Sequence, residues 1–145
     1  MTEHIESLKS LHTVLIDSRN GYQEALKDAD GRGLTSLFSS MIALRTADAG
    51  ALASELTDLG ERVDDSGSFM SAVHRAIISI RSLFGGLDSS VLPGLIDGEE
   101  RIVGFYEEAI AASPQGSTEN AMLIQQRDTL RQKISEMKAL QSVAA

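Results

Sequence analysis

Two carboxylates and three guanidinium groups stand where a helical chain ordinarily places leucine. Arg45 and Asp48 fall within the series Leu34, Phe38, Met41, Arg45, Asp48, Leu52, Leu56 and Leu59. Steps of three and four mark such a series as the inward stripe of one helix. Arg19 falls in the series Ile5, Leu8, His12, Leu15, Arg19, Tyr22 and Leu26. Glu99 lies among Val91, Leu95, Ile102, Tyr106 and Ile110, and Arg127 among Leu123, Leu130, Ile134 and Met137. A charge on an inward stripe is costly unless something answers it. Two chemistries suit these residue types. Carboxylates and imidazole converging in a helical bundle hold pairs of iron or manganese ions. Carboxylates facing guanidinium groups form charge-assisted hydrogen bonds instead.

The elements that must position these groups follow from the same periodicity. Long helices are predicted over about 3–29, 34–59, 91–112 and 118–141, with a shorter one over about 69–84. The phrase "DADGRG" breaks the first helix, Gly60 stops the second, and Ser117 or Thr118 caps the last. Short links join helices one to two and three to four, and a long one joins two to three. That is a four-helix bundle with one crossover, the ferritin-like arrangement. At 1.5 Å per residue, all five charges fall near the middle of a bundle ~40 Å long. The echo of "YQEAL" at 22–26 in "YEEAI" at 106–110 fits a duplicated helical hairpin.

Composition narrows the function classes. The 145 residues are expected to form one domain, residues 1–145, rich enough in apolar side chains (42%) to bury a core. A net charge of −8, with no stretch that interleaves Lys or Arg with aromatics, argues against duplex nucleic acid. The lack of Cys excludes thiolate catalysis and Cys-ligated metal centres. No run approaches the roughly 18 apolar residues of a membrane span. The opening "MTEHIESLKS" is acidic, unlike a secretory signal, so a cytoplasmic protein is expected.

Three stretches, "DSRNGYQEAL", "GSFMSAVHRAIISIRSLF" and "DGEERIVGFYEEAI", carry a resemblance in their order and spacing. With them the chain, over about residues 5–140, resembles a ferritin-like family of small bacterial bundle proteins recorded as a domain of unknown function. Ferritin-like metal enzymes carry Glu on the first and third helices and Glu-x-x-His on the second and fourth. This chain departs from that pattern. The first helix offers Leu15 and Arg19, the second Arg45-x-x-Asp48, and the fourth Arg127, Leu130 and Lys133; Glu99 alone is in place on the third. The resemblance therefore implies a metal site converted to a buried network of Arg19, Arg45, Asp48, Glu99 and Arg127. His12, Tyr22 and Tyr106 are expected around it. No cofactor is expected and no catalytic residue is assigned. The alternative is an iron or manganese protein of oxidative-stress or metal handling, bound through Glu99 and Asp48, with Glu100 or Glu55 completing the set.

Other motifs carry less. "DADGRGLTSLFS" begins like a calcium loop at Asp28, Asp30 and Gly33, but Arg32 and Ser39 occupy positions that need acceptors. His4, His12 and His74 have no pair at ligand spacing. The serines lack a His–Asp arrangement, and the Gly-containing turns follow no strand, so neither a nucleophile nor a phosphate cradle is supported. Phe69, Val73, Ile77, Ile80 and Phe84 share one face of the crossover segment, and Ile78 lies off it. That pattern fits packing within the chain or self-association, and two arginines in an acidic protein make it a weak membrane binder. The expected protein is a non-enzymatic structural or protein-interaction module and a homodimer, binding neither nucleic acid nor membrane. An apolar ligand carrier is the third possibility.

Overall fold

The computed structural model describes residues 2–27, 34–63 and 92–144. It is an all-α bundle of α1 (Thr2–Leu26), α2 (Leu34–Asp58), α3 (Leu92–Ala112) and α4 (Thr118–Ala144), with no strand among the described residues. The crossover helix expected over 69–84, with His74, and the calcium-like loop through Asp28, Asp30 and Arg32 lie outside the described residues.

Each helix forms because its apolar residues recur with the helical period. On α2 the buried positions are Leu34, Phe38, Met41, Arg45, Asp48, Ala49, Leu52 and Leu56. On α3 they are Leu92, Leu95, Ile96, Glu99, Ile102, Tyr106 and Ala109. Leu8, Leu11, Leu15, Ile16, Tyr22 and Ala25 of α1 and Leu123, Leu130, Ile134 and Met137 of α4 complete one core. Burying each such leucine contributes ~1.5–3 kcal/mol, so this stripe rather than helix propensity holds the helices.

The helix ends are built by local chemistry. Pro93 sits in the first turn of α3, where its missing N–H is no loss. Ser117 caps α4, its hydroxyl accepting from the Asn120 N–H at 3.0 Å. After α2, Gly60 takes φ 84°, and the Gly60 and Glu61 N–H groups donate back to Thr57 and Leu56 carbonyls, each at 2.9 Å.

Cross-helix bonds fix the topology. His4 meets Glu119 at 2.9 Å, so α1 and α4 begin at one end of the bundle. Lys9 meets Glu61 just past the end of α2 at 3.2 Å, so α2 finishes there too. Tyr22, late in α1, reaches Glu99, early in α3. Lys138, late in α4, reaches Glu100 at 3.1 Å. Thus α3 starts at the end of the bundle opposite to the one where α2 finishes. α1 packs along α2 and α3, and α3 along α4.

Candidate functional site

Midway along the bundle the apolar core is interrupted by a polar layer to which every helix contributes. Its centre is Arg45 of α2 and Glu99 of α3, both 0% exposed. Arg45 Nη2 donates to Glu99 Oε1, and Arg45 Nε donates to the Ser18 hydroxyl of α1 at 3.1 Å. The second Glu99 oxygen accepts from the Tyr22 hydroxyl of α1 at 2.6 Å. Glu99 is therefore engaged at both oxygens, by a cation and by a phenol.

One turn further along α2, Asp48 faces Arg45 and the Tyr106 hydroxyl of α3. Tyr106 donates to Gln126 Oε1 of α4 at 2.9 Å. The layer thus runs from Ser18 and Tyr22 through Arg45, Glu99, Asp48 and Tyr106 to Gln126. Tyr22 also packs against Phe38, ring centres 5.6 Å apart, which holds its hydroxyl in place.

Burial governs the protonation of the layer. It raises the Asp48 carboxyl to about 6, opposed by the Arg45 charge and the Tyr106 hydroxyl. It lowers Arg45 from the ordinary arginine value, while Tyr22, Tyr106 and Asp48 favour its charged form. Both phenols are pushed up by burial, Tyr106 further by the neighbouring Asp48 charge. The tyrosines are donors here, not nucleophiles.

Two of the arginines expected in the layer lie elsewhere. Arg19 is half-buried, and its guanidinium donates to Asn20 Oδ1 at 3.3 and 3.2 Å. Arg127 is half-buried and pairs with Glu107 of α3 and its own neighbour Asp128, both at 3.1 Å, while Arg131 joins it on Glu107 at 2.6 Å. Their stems reach from the stripe edge toward partly solvated partners. The inward positions go to the residues just before them, Ser18 and Gln126, both buried. His12 is buried on α1. Glu55 and Glu100, the alternative ligands, do not join the pair: Glu100 is engaged by Lys138, and Glu55 acts on Glu119 at the end of the bundle.

The donor set does not fit a pair of metal ions. Glu99 is held by Arg45 and Tyr22, and a buried guanidinium stands where bridging carboxylates would have to converge. Among the described residues no three His, Cys, Asp or Glu side chains come together as ligands would. Nor is any described helix long and apolar enough to cross a membrane.

The model of the family described as Domain of unknown function (DUF2383) matches residues 3–112, which span α1, α2 and α3 and carry every member of the layer except Gln126. No curated protein and no solved structure matches the chain. On the extent of that family match, the chain belongs to the family described as Domain of unknown function (DUF2383).

Proposed function

We propose that this chain is a non-enzymatic, ferritin-like structural or protein-interaction module, a single domain working in the cytoplasm as a homodimer, whose metal site has become a salt-bridge layer. The observation that carries this reading is the fully buried Arg45–Glu99 pair. A guanidinium supplies fixed positive charge that needs no metal supply, and its planar fork orients the carboxylate opposite. Pairs of this kind serve register better than they serve stability, because the desolvation they cost roughly offsets their attraction. In a bundle built from similar apolar stripes, one charged layer penalises every register that would leave Arg45 facing leucine. The apolar face predicted for 69–84 is compatible with self-association as well as with packing within the chain.

Elemental analysis after aerobic incubation with iron(II) or manganese(II) and desalting tests the reading. Near-zero bound metal is the expected result. About two ions per chain, the loading of a dinuclear bundle site, would replace this reading with the metalloprotein one. Light scattering on the eluted peak tests the homodimer separately.

A further inference from the structure

The polar layer has two halves. Ser18, Arg45, Glu99 and Tyr22 are linked in one; Asp48, Tyr106 and Gln126 make the other. Both halves are rooted on α2, where Arg45 and Asp48 stand three residues apart and rise from adjoining turns of one face. Each half leaves one polar atom over. Arg45 Nη1 and Asp48 Oδ2 are both buried, and neither has a hydrogen-bond partner in the protein. The two groups act on each other electrostatically, yet the ion pair of Arg45 is made with Glu99.

Buried donors and acceptors are satisfied with few exceptions, and an internal water is the usual means where two protein groups cannot touch. Charge decides what kind of species fits here. Arg45 and Glu99 offset each other, so an added anion would meet the Asp48 and Glu99 carboxylates. An added cation would meet the Arg45 guanidinium. A neutral species that both accepts and donates is complementary to Nη1 on one side and Oδ2 on the other. Arg45 is 0% and Asp48 9% exposed, so the occupant lies in the core, and water is the smallest species that both donates and accepts.

We propose that a single water molecule is bound in the core between Arg45 and Asp48, accepting from Nη1 and donating to Oδ2, so that the two halves become one network across all four helices. Tyr106, which interacts with both Asp48 and Arg45, is the third polar group at this position. The water gives Arg45 a link to its own helix neighbour that the side chains do not make directly.

A crystal structure of the full chain, at a resolution that shows ordered solvent, tests this. The expected result is one solvent oxygen about 2.7–3.2 Å from both Arg45 Nη1 and Asp48 Oδ2. Direct contact between the two side chains, absence of density between them, or density larger than one water would each overturn the proposal. Oxygen-17 relaxation dispersion gives a second readout. Asp48→Leu is expected to lose one long-lived internal water, and Asp48→Asn, which keeps an acceptor oxygen, to retain it. An unchanged count in folded Asp48→Leu would overturn the proposal. If that variant does not fold, the wild-type density decides alone.

Discussion

Arg45 on α2 and Glu99 on α3 form an ion pair that solvent reaches from neither side. The two residues are 54 positions apart in the chain, so the pair forms only when the two helical hairpins have assembled in register. Ser18 and Tyr22 of α1 hold the same pair from one side, at 3.1 and 2.6 Å. On the function proposed above, a layer so placed specifies assembly.

Tyr22→Phe is expected to cost more than Tyr106→Phe. The Tyr22 hydroxyl donates at 2.6 Å to a buried carboxylate, and a hydrogen bond to a charged group contributes about 1.5–3 kcal/mol. Below about pH 5 the neighbouring Asp48 carboxyl is neutral, so there the Tyr106 hydroxyl answers only neutral groups, its bond to the Gln126 amide oxygen contributing about 1 kcal/mol, and the comparison is made at that pH. Urea unfolding of both variants checks the order, and a larger loss at Tyr106 would reverse it.

Asp48 gives the fold a pH dependence with a definite sign. Its carboxyl titrates at about 6 in the folded chain against 3.8 for the free group. Between those values the folded chain binds more protons than the unfolded one. The contribution of this group to stability is therefore whole below about 4, declines as pH rises, and is gone above about 6. Asp48→Asn is expected to abolish that slope and to be about 1–2 kcal/mol more stable than wild type at pH 7, allowing for partial solvent screening. Denaturant midpoints measured from pH 4 to 7 for both proteins test it.

Arg127→Ala should cost little, about 0–1 kcal/mol, because its partners Glu107 and Asp128 are partly solvated. The same experiment in high salt should remove most of what difference there is. A loss as large as that expected at Arg45 would place Arg127 in the buried layer after all.

Gly60→Ala is expected to destabilise by about 1 kcal/mol, since φ 84° is a backbone region that a Cβ disfavours. Open space surrounds the position, so the cost would be conformational rather than a clash. Thermal unfolding reads it directly.

The all-α class was legible because every stripe steps by three and four with little competition from strand formers. The positions of Arg45, Asp48 and Glu99 were legible for the same reason: Phe38 and Met41 lead into Arg45 and Asp48 on one stripe and Leu52 and Leu56 continue it, while Leu95 and Ile102 flank Glu99. The other two arginines show where periodicity stops deciding. After Leu15 a step of four leads to Arg19 and a step of three to Ser18; after Leu123 the same choice lies between Arg127 and Gln126. Both steps obey the helical period, and in both cases the residue with the smaller desolvation cost takes the inward place. A guanidinium then swings to the rim on its long stem. Which hydroxyl or amide meets which charge depends on how four helices are set against one another, and no single stripe carries that.

The most direct measurement is a double-mutant cycle on the central pair, with urea unfolding of Arg45→Met, Glu99→Leu and both together. Each single change strands one buried charge and is expected to cost about 3–5 kcal/mol. The double variant should recover most of that loss, ending within about 1–2 kcal/mol of wild type, with the Tyr22 and Ser18 hydroxyls and the Asp48 carboxyl left without these partners accounting for the remainder. Losses that simply add, or single variants as stable as wild type, would contradict a buried pair at the centre of this bundle.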